Sequence, residues 1–287
     1  MASAPTKIID GHVHIVPWHL AAPHIVETLK RTQPNFPELQ RLIDSPKAFV
    51  DKLDQEGIEK AALINYVAPE VMGFPKGINE WVAKYTKPHR DRLIPVGGIH
   101  PGHLDNPRKE IEELLSKYEL GAIKLHPVHS LFYPNDYEIG GGALRILYEQ
   151  CEQQGVPVIV HTGTSIFPKA RNKFGDPMAL DDVAVDYPKL KLAIAHVGRP
   201  LWTEAAQFLA RRHRNVYLDL SGIPPSKLLE YVPQLERLAD RSYFGSDWPG
   251  PMIPSMRENA DAVAALKLPA DAKRAILYDN ALKFFRL

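Results

Sequence analysis

The chain has 287 residues, of which 45% are hydrophobic and 24% charged, and its formal net charge is +1. These values are ordinary for a folded protein in water, and a near-neutral charge without a basic block argues against nucleic acid or an anionic membrane surface as the main partner. A single cysteine excludes an intramolecular disulfide, and neither a secretory signal nor an apolar run of membrane-spanning length is visible, so we expect a cytoplasmic protein.

Short apolar runs that are typical of buried strands alternate with amphipathic helical patterns along the chain. The predicted strands are Lys7–His14, Lys60–Tyr66, Leu93–His100, Ala122–His126, Val156–Thr162, Leu192–Val197, Val216–Asp219 and Tyr243–Asp247. The predicted helices are Ser45–Glu56, Gly77–Thr86, Pro107–Tyr118, Ala143–Gln154, Met178–Asp186, Leu201–Arg212, Pro225–Leu238, Ser255–Leu266 and Asp271–Phe285. Eight such units predict one (β/α)8 TIM-barrel domain over residues 1–287 with C-terminal helices. The alternative, a doubly wound open sheet, would need a glycine-rich first turn, and that turn reads GHVH.

Two connections that follow predicted strands are long. Residues 15–44 follow the first strand, and residues 163–177 follow the fifth. Both therefore lie at the carboxyl ends of the strands, where TIM barrels carry their active sites. We expect them to serve as lids or substrate walls.

The first predicted strand ends in a His-x-His motif. Because side chains two positions apart share one face of a strand, His12 and His14 both point into the barrel, and Asp10 lies on the same face. Two neighbouring imidazoles are half of a metal site, although such a motif also arises by chance in a chain with twelve histidines.

Later strands end in the same way. His161 closes VPVIVH, His196 closes LAIAH, and Asp247 follows YFGS. Taken singly, each histidine could be a hydrogen-bonded core residue, and Asp247 could be the N-cap of a helix. A buried charge or imidazole needs compensation, so these residues, all at one end of a barrel, are better explained by one shared divalent metal.

These motifs resemble the amidohydrolase superfamily. The segments GHVH (11–14), VIVHTG (158–163), IAHVG (194–198), FGSDWP (244–249) and AILYDNALKFF (275–285) are similar to its amidohydrolase-related branch. That branch includes aminocarboxymuconate-semialdehyde decarboxylase, resorcylate-type decarboxylases and dicarboxylate lactonases. The similarity covers nearly the whole chain, and its motifs are specific for the superfamily rather than for one reaction.

The resemblance implies His12, His14, His161 and Asp247 as metal ligands. His196 would polarise the substrate, handle protons or bind a second metal, and Asp247 would also take a proton from metal-activated water. We expect one divalent ion, zinc in the first place, with manganese, iron and cobalt as alternatives that the same ligands accept.

Lys124 lies in AIKLHP, at the strand where binuclear members of the superfamily carry a carbamylated lysine. Three interpretations stay open. The lysine is a cation that binds a substrate carboxylate, it is carbamylated and bridges two metal ions, or it pairs with a buried acid. Its spacing from His126 puts both side chains on the inward face.

Other residues are expected to line the substrate pocket. Arg199 follows IAHVG and would either clamp a substrate carboxylate or pair with an acid such as Glu204. The remaining candidates are His126, Tyr133, Trp18 and Trp248, the last with core packing as its alternative.

We therefore expect a metal-dependent hydrolase that opens a lactone, ester or amide of a small, carboxylated molecule. The alternative is a non-oxidative decarboxylase of a small aromatic or unsaturated acid. A third interpretation, a barrel that binds a ligand without catalysis, is disfavoured by the complete set of ligands. A homodimer is common on such scaffolds.

Overall fold

The computed structural model of the protein describes residues 7–33, 35–250 and 253–287. Within these ranges, eight parallel strands follow one another in chain order. They are β1 Ile9–Val13, β2 Lys60–Ile64, β3 Leu93–Gly97, β4 Ala122–Leu125, β5 Val158–His161, β6 Leu192–Ala195, β7 Val216–Asp219 and β8 Ser242–Tyr243. Backbone hydrogen bonds from Asp247 N–H to the His12 carbonyl and from His14 N–H to the Trp248 carbonyl join β1 to the segment after β8. These bonds close the sheet, and the predicted (β/α)8 barrel is confirmed.

Helices cover the outside of the barrel. They are α1 Pro23–Thr32, α2 Phe36–Asp44, α3 Pro46–Gln55, α4 Ile78–Thr86, α5 Pro107–Lys117, α6 Pro127–Ser130, α7 Ile139–Gln154, α8 Ala179–Asp186, α9 Thr203–Arg212, α10 Leu228–Tyr231, α11 Met256–Ala264, α12 Ala270–Arg274 and α13 Asn280–Phe285. A π-helical turn, Ala275–Asp279, joins α12 to α13. Among the described residues, no helix is both long and apolar enough to cross a membrane.

Local sequence explains where the helices begin. The Ser45 hydroxyl accepts the backbone N–H of Ala48 at the start of α3, and the Asn106 side chain does the same for Lys109 at the start of α5. A proline occupies the first turn of both helices, where its missing N–H costs nothing. The strands between the helices are buried on both faces, as their aliphatic sequences predict.

Three predictions of local structure differ from the fold. The helix predicted over Pro225–Leu238 is only the short α10, because Pro233 disfavours helical geometry at the residue before it. The connection predicted over residues 15–44 contains α1 and α2. The last predicted strand, Tyr243–Asp247, ends at Tyr243, and Asp247 follows in a left-handed conformation with φ of 65°.

Candidate metal centre and active site

The carboxyl ends of the strands form the mouth of the barrel, and a compact group of imidazoles with one carboxylate lies there. Its members, called the strand-end cluster below, are His12, His14, His161, His196 and Asp247. The His12 ring lies 5.1 Å from the His14 ring and 5.0 Å from the His196 ring, which is 4.8 Å from the His161 ring. Asp247 Oδ1 lies 3.1 Å from His14 Nε2 and 3.7 Å from His12 Nε2. The structure thus brings together all four predicted ligands and His196.

Hydrogen bonds fix the proton position on three of these rings. In each ring Nδ1 faces an oxygen atom, so Nδ1 carries the proton and Nε2 keeps its lone pair. The pairs are His12 with the Asp219 carboxylate at 2.5 Å, His14 with the Ile64 carbonyl at 3.2 Å, and His196 with the Ser221 carbonyl at 3.0 Å. Metal-ligating histidines adopt this arrangement, in which the outer nitrogen donates to an oxygen and the inner one faces the ion.

The free atoms of the cluster fit a divalent cation. His14 Nε2 lies only 3.1 Å from Asp247 Oδ1, and with Nδ1 protonated this contact is favourable when His14 carries a second proton or when a cation lies near both atoms. The Nε2 atoms of His12 and His161 are buried without a hydrogen-bond partner. His12, His196 and Asp247 offer three ligand atoms within 4.8 Å of one another, so this compact set contains His196 and leaves out the predicted ligands His14 and His161. Ligand atoms of a tetrahedral zinc ion stand about 3.4 Å apart, which lies between the two distances measured from Asp247.

Burial keeps the imidazoles in the form that a metal requires. It is the largest cause that lowers the pKa of His161 and His196 well below the usual value, and neighbouring imidazoles and cations add to it. A neutral ring is the ligand form of histidine, so no proton competes with a cation at neutral pH.

Asp219 is the residue of this site that the sequence analysis missed. It ends β7, is fully buried, and holds His12 Nδ1 with one oxygen while its other oxygen accepts the Ser221 N–H at 3.0 Å. Burial is the largest influence and opposes its ionisation, but His12, the nearby amine of Lys124 and the hydrogen bond of Ser221 together outweigh burial and lower the pKa of Asp219. The signal was present in the sequence, since an aspartate at the end of a buried strand matches the pattern used for the other strands.

Lys124 projects from β4 and is almost fully buried, and its ammonium group has no hydrogen-bond partner. Burial lowers its pKa to about 8, although the charges of Asp219 and Asp247 act in the opposite direction. An unpartnered buried amine beside a strand-end cluster is a ready site for an anionic group. No acidic side chain pairs with this amine in the described part of the chain, so pairing with a buried acid is not supported, and the other two interpretations of Lys124 stay predictions.

Arg199 borders the cluster beside Gly222. Its Nε donates to the Gly222 carbonyl, and its terminal nitrogen lies 3.8 Å from Asp247 Oδ2. The backbone of Gly222 has a φ of +66°, and a Cβ at this position would lie 2.8 Å from Asp247 Oδ2 and 3.0 Å from His196 Nδ1. The nearest atom to that Cβ would be Arg199 Nη2 at 2.5 Å, so only the missing side chain of glycine lets the backbone pack this closely against the carboxylate, the guanidinium and the imidazole.

Of the other predicted pocket residues, His126 lies beside the strand-end cluster, whereas Tyr133 lies at the surface. His126 stacks on His161 with ring centroids 3.8 Å apart, and its Nδ1 accepts the backbone N–H of His129, so its Nε2 carries a proton. The Tyr133 ring is 39% exposed and packs on Phe174 at the surface.

The two tryptophans that were predicted to line the pocket pack against other aromatic side chains. Trp18 packs on Phe74, which in turn packs on Tyr66. The Trp248 ring packs on Phe49 and Lys52 of α3, so the structure does not bring it to the cluster.

A second group of potential ligands, Glu70 with His100 and His103, lies after β2 and β3. Glu70 contacts His103 Nε2 at 2.8 Å and His100 Nε2 at 3.3 Å. His100 Nδ1 accepts the Gly102 N–H, so His100 carries its proton on the nitrogen that faces Glu70. An N–H on His100 Nε2 points no lone pair at an ion, so this proton position opposes a metal ion, although neither His100 Nε2 nor Glu70 Oε2 has a hydrogen-bond partner among the described residues.

Comparisons with known proteins agree with this picture. A sequence model of the family described as Amidohydrolase matches residues 9–287. A search of curated proteins finds no match.

Three solved structures illustrate the similarity of fold. An uncharacterized TIM-barrel protein from Bordetella bronchiseptica is 24% identical, with a TM-score of 0.76 and 98% of each chain covered. A 5-carboxyvanillate decarboxylase from Novosphingobium aromaticivorans, complexed with manganese and 4-hydroxy-3-methoxy-5-nitrobenzoic acid, is 15% identical, with a TM-score of 0.67 over 100% of this chain and 98% of that one. A 4-oxalomesaconate hydratase from Rhodopseudomonas palustris is 17% identical, with a TM-score of 0.65 over 98% of this chain and 96% of that one.

Proposed function

The chain belongs to the amidohydrolase family, and on that premise we propose that it is a metal-dependent hydrolase of a lactone, ester or amide bond in a small carboxylated molecule. His12, His14, His161 and Asp247 would hold the ion, with His196 beside them. Zinc is our first choice, and manganese, iron or cobalt would suit the same nitrogen and oxygen donors. A divalent ion there would supply Lewis acidity, which polarises a carbonyl group and makes water more acidic.

The two-sided placement of Asp247 is the observation that carries this proposal. Its Oδ1 faces the Nε2 atoms of His14 and His12, whereas its Oδ2 lies on the other side, next to Gly222 and 3.8 Å from the terminal nitrogen of Arg199. One oxygen can thus contact the ion while the other takes the proton of an attacking water and passes it to the leaving group.

The cations near Asp247 support an anionic substrate. The Arg199 Nε is occupied by the Gly222 carbonyl, so the other edge of the guanidinium can bind a carboxylate in a fork. The buried amine of Lys124 would bind an anionic oxygen that develops on the substrate, or a second carboxylate. His126 would add a neutral N–H donor at the mouth of the barrel.

A non-oxidative decarboxylase is the second candidate. It is favoured by the named activity of the Novosphingobium relative, which was complexed with manganese and a substituted benzoic acid. In that reaction the same cations would orient the carboxylate, and Asp247 would deliver a proton to the carbon that loses CO₂.

Isotope labelling separates the two reactions. The metal-loaded protein would be incubated with aryl lactones and with hydroxybenzoates, in H₂¹⁸O and separately in D₂O. Hydrolysis predicts ring opening with ¹⁸O in the new carboxylate, whereas decarboxylation predicts CO₂ release with deuterium on the ring carbon. The Asp247→Asn protein, loaded with the same metal, is the control. If no lactone is opened and no hydroxybenzoate loses CO₂, both candidate functions are rejected.

A further inference from the structure

Three side chains outside the strand-end cluster form a continuous hydrogen-bond chain. The Tyr66 hydroxyl lies 3.1 Å from His129 Nδ1, and His129 Nε2 lies 2.8 Å from the Ser165 hydroxyl. Tyr66 and His129 are buried, whereas Ser165 is partly exposed in the long loop after β5. The chain therefore connects the loop of residues 163–177 with the interior of the mouth.

Tyr66 occupies the β2 side of the mouth, where the strand-end cluster has no member. Its ring lies 4.7 Å from the His126 ring, which stacks on His161 of the cluster. Burial and the negative charge of Asp247 both raise the pKa of Tyr66, so its hydroxyl stays protonated. A tyrosine hydroxyl in this position has one hydrogen-bonding direction taken by His129 and another left for a ligand.

The loop holds Ser165 in place through several contacts. The Ser165 hydroxyl accepts the Phe167 N–H at 3.3 Å, and the Phe167 ring packs edge-on against His129 at 5.4 Å. The Gly163 N–H donates to the Gly175 carbonyl at 2.8 Å, which closes the base of the loop. Ser165 is thus a fixed end of the chain.

The protons of this chain have two consistent arrangements. In the first, Ser165 donates to His129 Nε2, His129 Nδ1–H donates to the Tyr66 oxygen, and the Tyr66 proton is free to donate into the mouth. In the second, every bond is reversed, and Tyr66 presents only lone pairs to the mouth. The two arrangements differ only in the tautomer of His129 and the rotation of two hydroxyl groups.

We propose that Tyr66 is a further substrate-binding residue and that His129 and Ser165 are positioning residues that make its hydroxyl a donor when an anionic substrate binds. The inference rests on the proposed function for the anionic character of the substrate. A carboxylate or developing oxyanion selects the first arrangement, because it accepts the Tyr66 proton and repels lone pairs. Ser165 contributes because only a hydroxyl there can donate to His129 Nε2 in that arrangement.

The experiment measures binding to the zinc-loaded protein by calorimetry. The probe is 3,4-dimethoxy-5-nitrobenzoate, and 3,4-dimethoxy-5-nitrobenzyl alcohol is the matched neutral ligand, which has no carboxylate, no acidic phenol and no bond that the proposed hydrolase would cleave. We expect Tyr66→Phe to weaken binding of the acid about tenfold and Ser165→Ala about threefold, because a charged acceptor loses its donor in the first variant and only the support of that donor in the second. Ser165→Thr should restore binding, and binding of the benzyl alcohol should change little in any variant.

Two control variants separate this role from general damage. Ile166→Ala changes the next loop residue, whose side chain is 87% exposed. Tyr148→Phe removes another buried hydroxyl, one that donates to the Pro134 carbonyl on the outside of the barrel. Both should bind the acid like the wild-type protein, and all variants should keep their zinc content and melting temperature within the range of the controls.

A spectroscopic readout tests the positioning directly. Ring ¹⁵N shifts of His129 should move towards the Nδ1-protonated tautomer when the acid binds, and this change should be lost in Ser165→Ala. Equal binding of the acid by Tyr66→Phe and wild type, or equal effects of Ser165→Ala and Ile166→Ala, would overturn the inference alone. A wild-type protein that binds zinc but neither probe would overturn the proposed substrate class as well.

Discussion

Replacing Asp219 by asparagine should lower the metal affinity of the protein without removing any ligand. Asp219 Oδ2 lies 2.5 Å from His12 Nδ1, and Oδ1 accepts the Ser221 N–H at 3.0 Å. An asparagine has one oxygen and one NH₂ group for these two positions. If its NH₂ faces His12, Nδ1 must become the acceptor, and the proton moves to the nitrogen that should bind the ion. If its NH₂ faces Ser221, two donors oppose each other.

The first orientation keeps both hydrogen bonds, whereas the second sets the amide NH₂ against the Ser221 N–H, so the first orientation determines the expected size of the effect. Loss of an outer partner of a metal-binding histidine typically lowers metal affinity 10- to 100-fold, which corresponds to about 1.4–2.8 kcal/mol. A hydrogen bond to a charged group contributes roughly 1.5–3 kcal/mol, so the two estimates agree. The loss should appear as weaker zinc binding in competition with a chromogenic chelator.

Asp181→Asn is the matched control. Asp181 holds His213 Nε2 at 2.7 Å on the outside of the barrel, so this variant loses an aspartate–histidine contact remote from the mouth. Its zinc affinity should equal that of the wild-type protein. An Asp219→Asn protein that binds zinc within twofold of wild type would refute the view that Asp219 fixes the His12 tautomer.

Four further outcomes are expected. His12→Ala and Asp247→Ala should stay folded by circular dichroism and lose bound metal in elemental analysis, and wild-type metal content in either would remove that residue from the ligand set. Gly222→Ala should reduce activity at least tenfold, because the new Cβ would lie within 3.0 Å of Arg199 Nη2, Asp247 Oδ2 and His196 Nδ1 and would displace these groups; full activity would show that their exact positions do not matter for the reaction. Lys124→Met should raise the melting temperature, because it removes an unpartnered buried cation, and it should weaken the binding of carboxylated ligands. A lower melting temperature would contradict the view that the buried amine destabilises the protein. Burial raises the pKa of the Cys151 thiol, so the thiol stays protonated at pH 8.5, where a free cysteine is half ionised. The native protein should therefore resist iodoacetamide until it is unfolded. Labelling of the native protein at the rate of a free cysteine would contradict the burial.

The sequence was sufficient for the parts of this protein that follow from periodicity along one segment. All eight strands and the convergence of His12, His14, His161, His196 and Asp247 at one end were predicted, because parallel strands of a barrel share one direction. The predicted metal roles of these residues stay predictions that their geometry supports.

What could not be predicted depends on contacts between distant segments. The Tyr66–His129–Ser165 chain joins residues from three connections, and no spacing in the sequence indicates that they meet. Trp248 was expected at the pocket, but the chain turns sharply at Asp247, and the ring packs on α3 instead. Side-chain direction after a strand depends on such local turns, which periodicity does not describe.

The closure of the barrel between β1 and the segment after β8 has a consequence for biosynthesis. A ribosome adds Asp247 more than 230 residues after His12 and His14. No N-terminal fragment that ends before residue 247 can complete the site, however well its helices and strands form. Prematurely terminated chains therefore lack the finished centre, and the last strand decides whether a newly made molecule can become active.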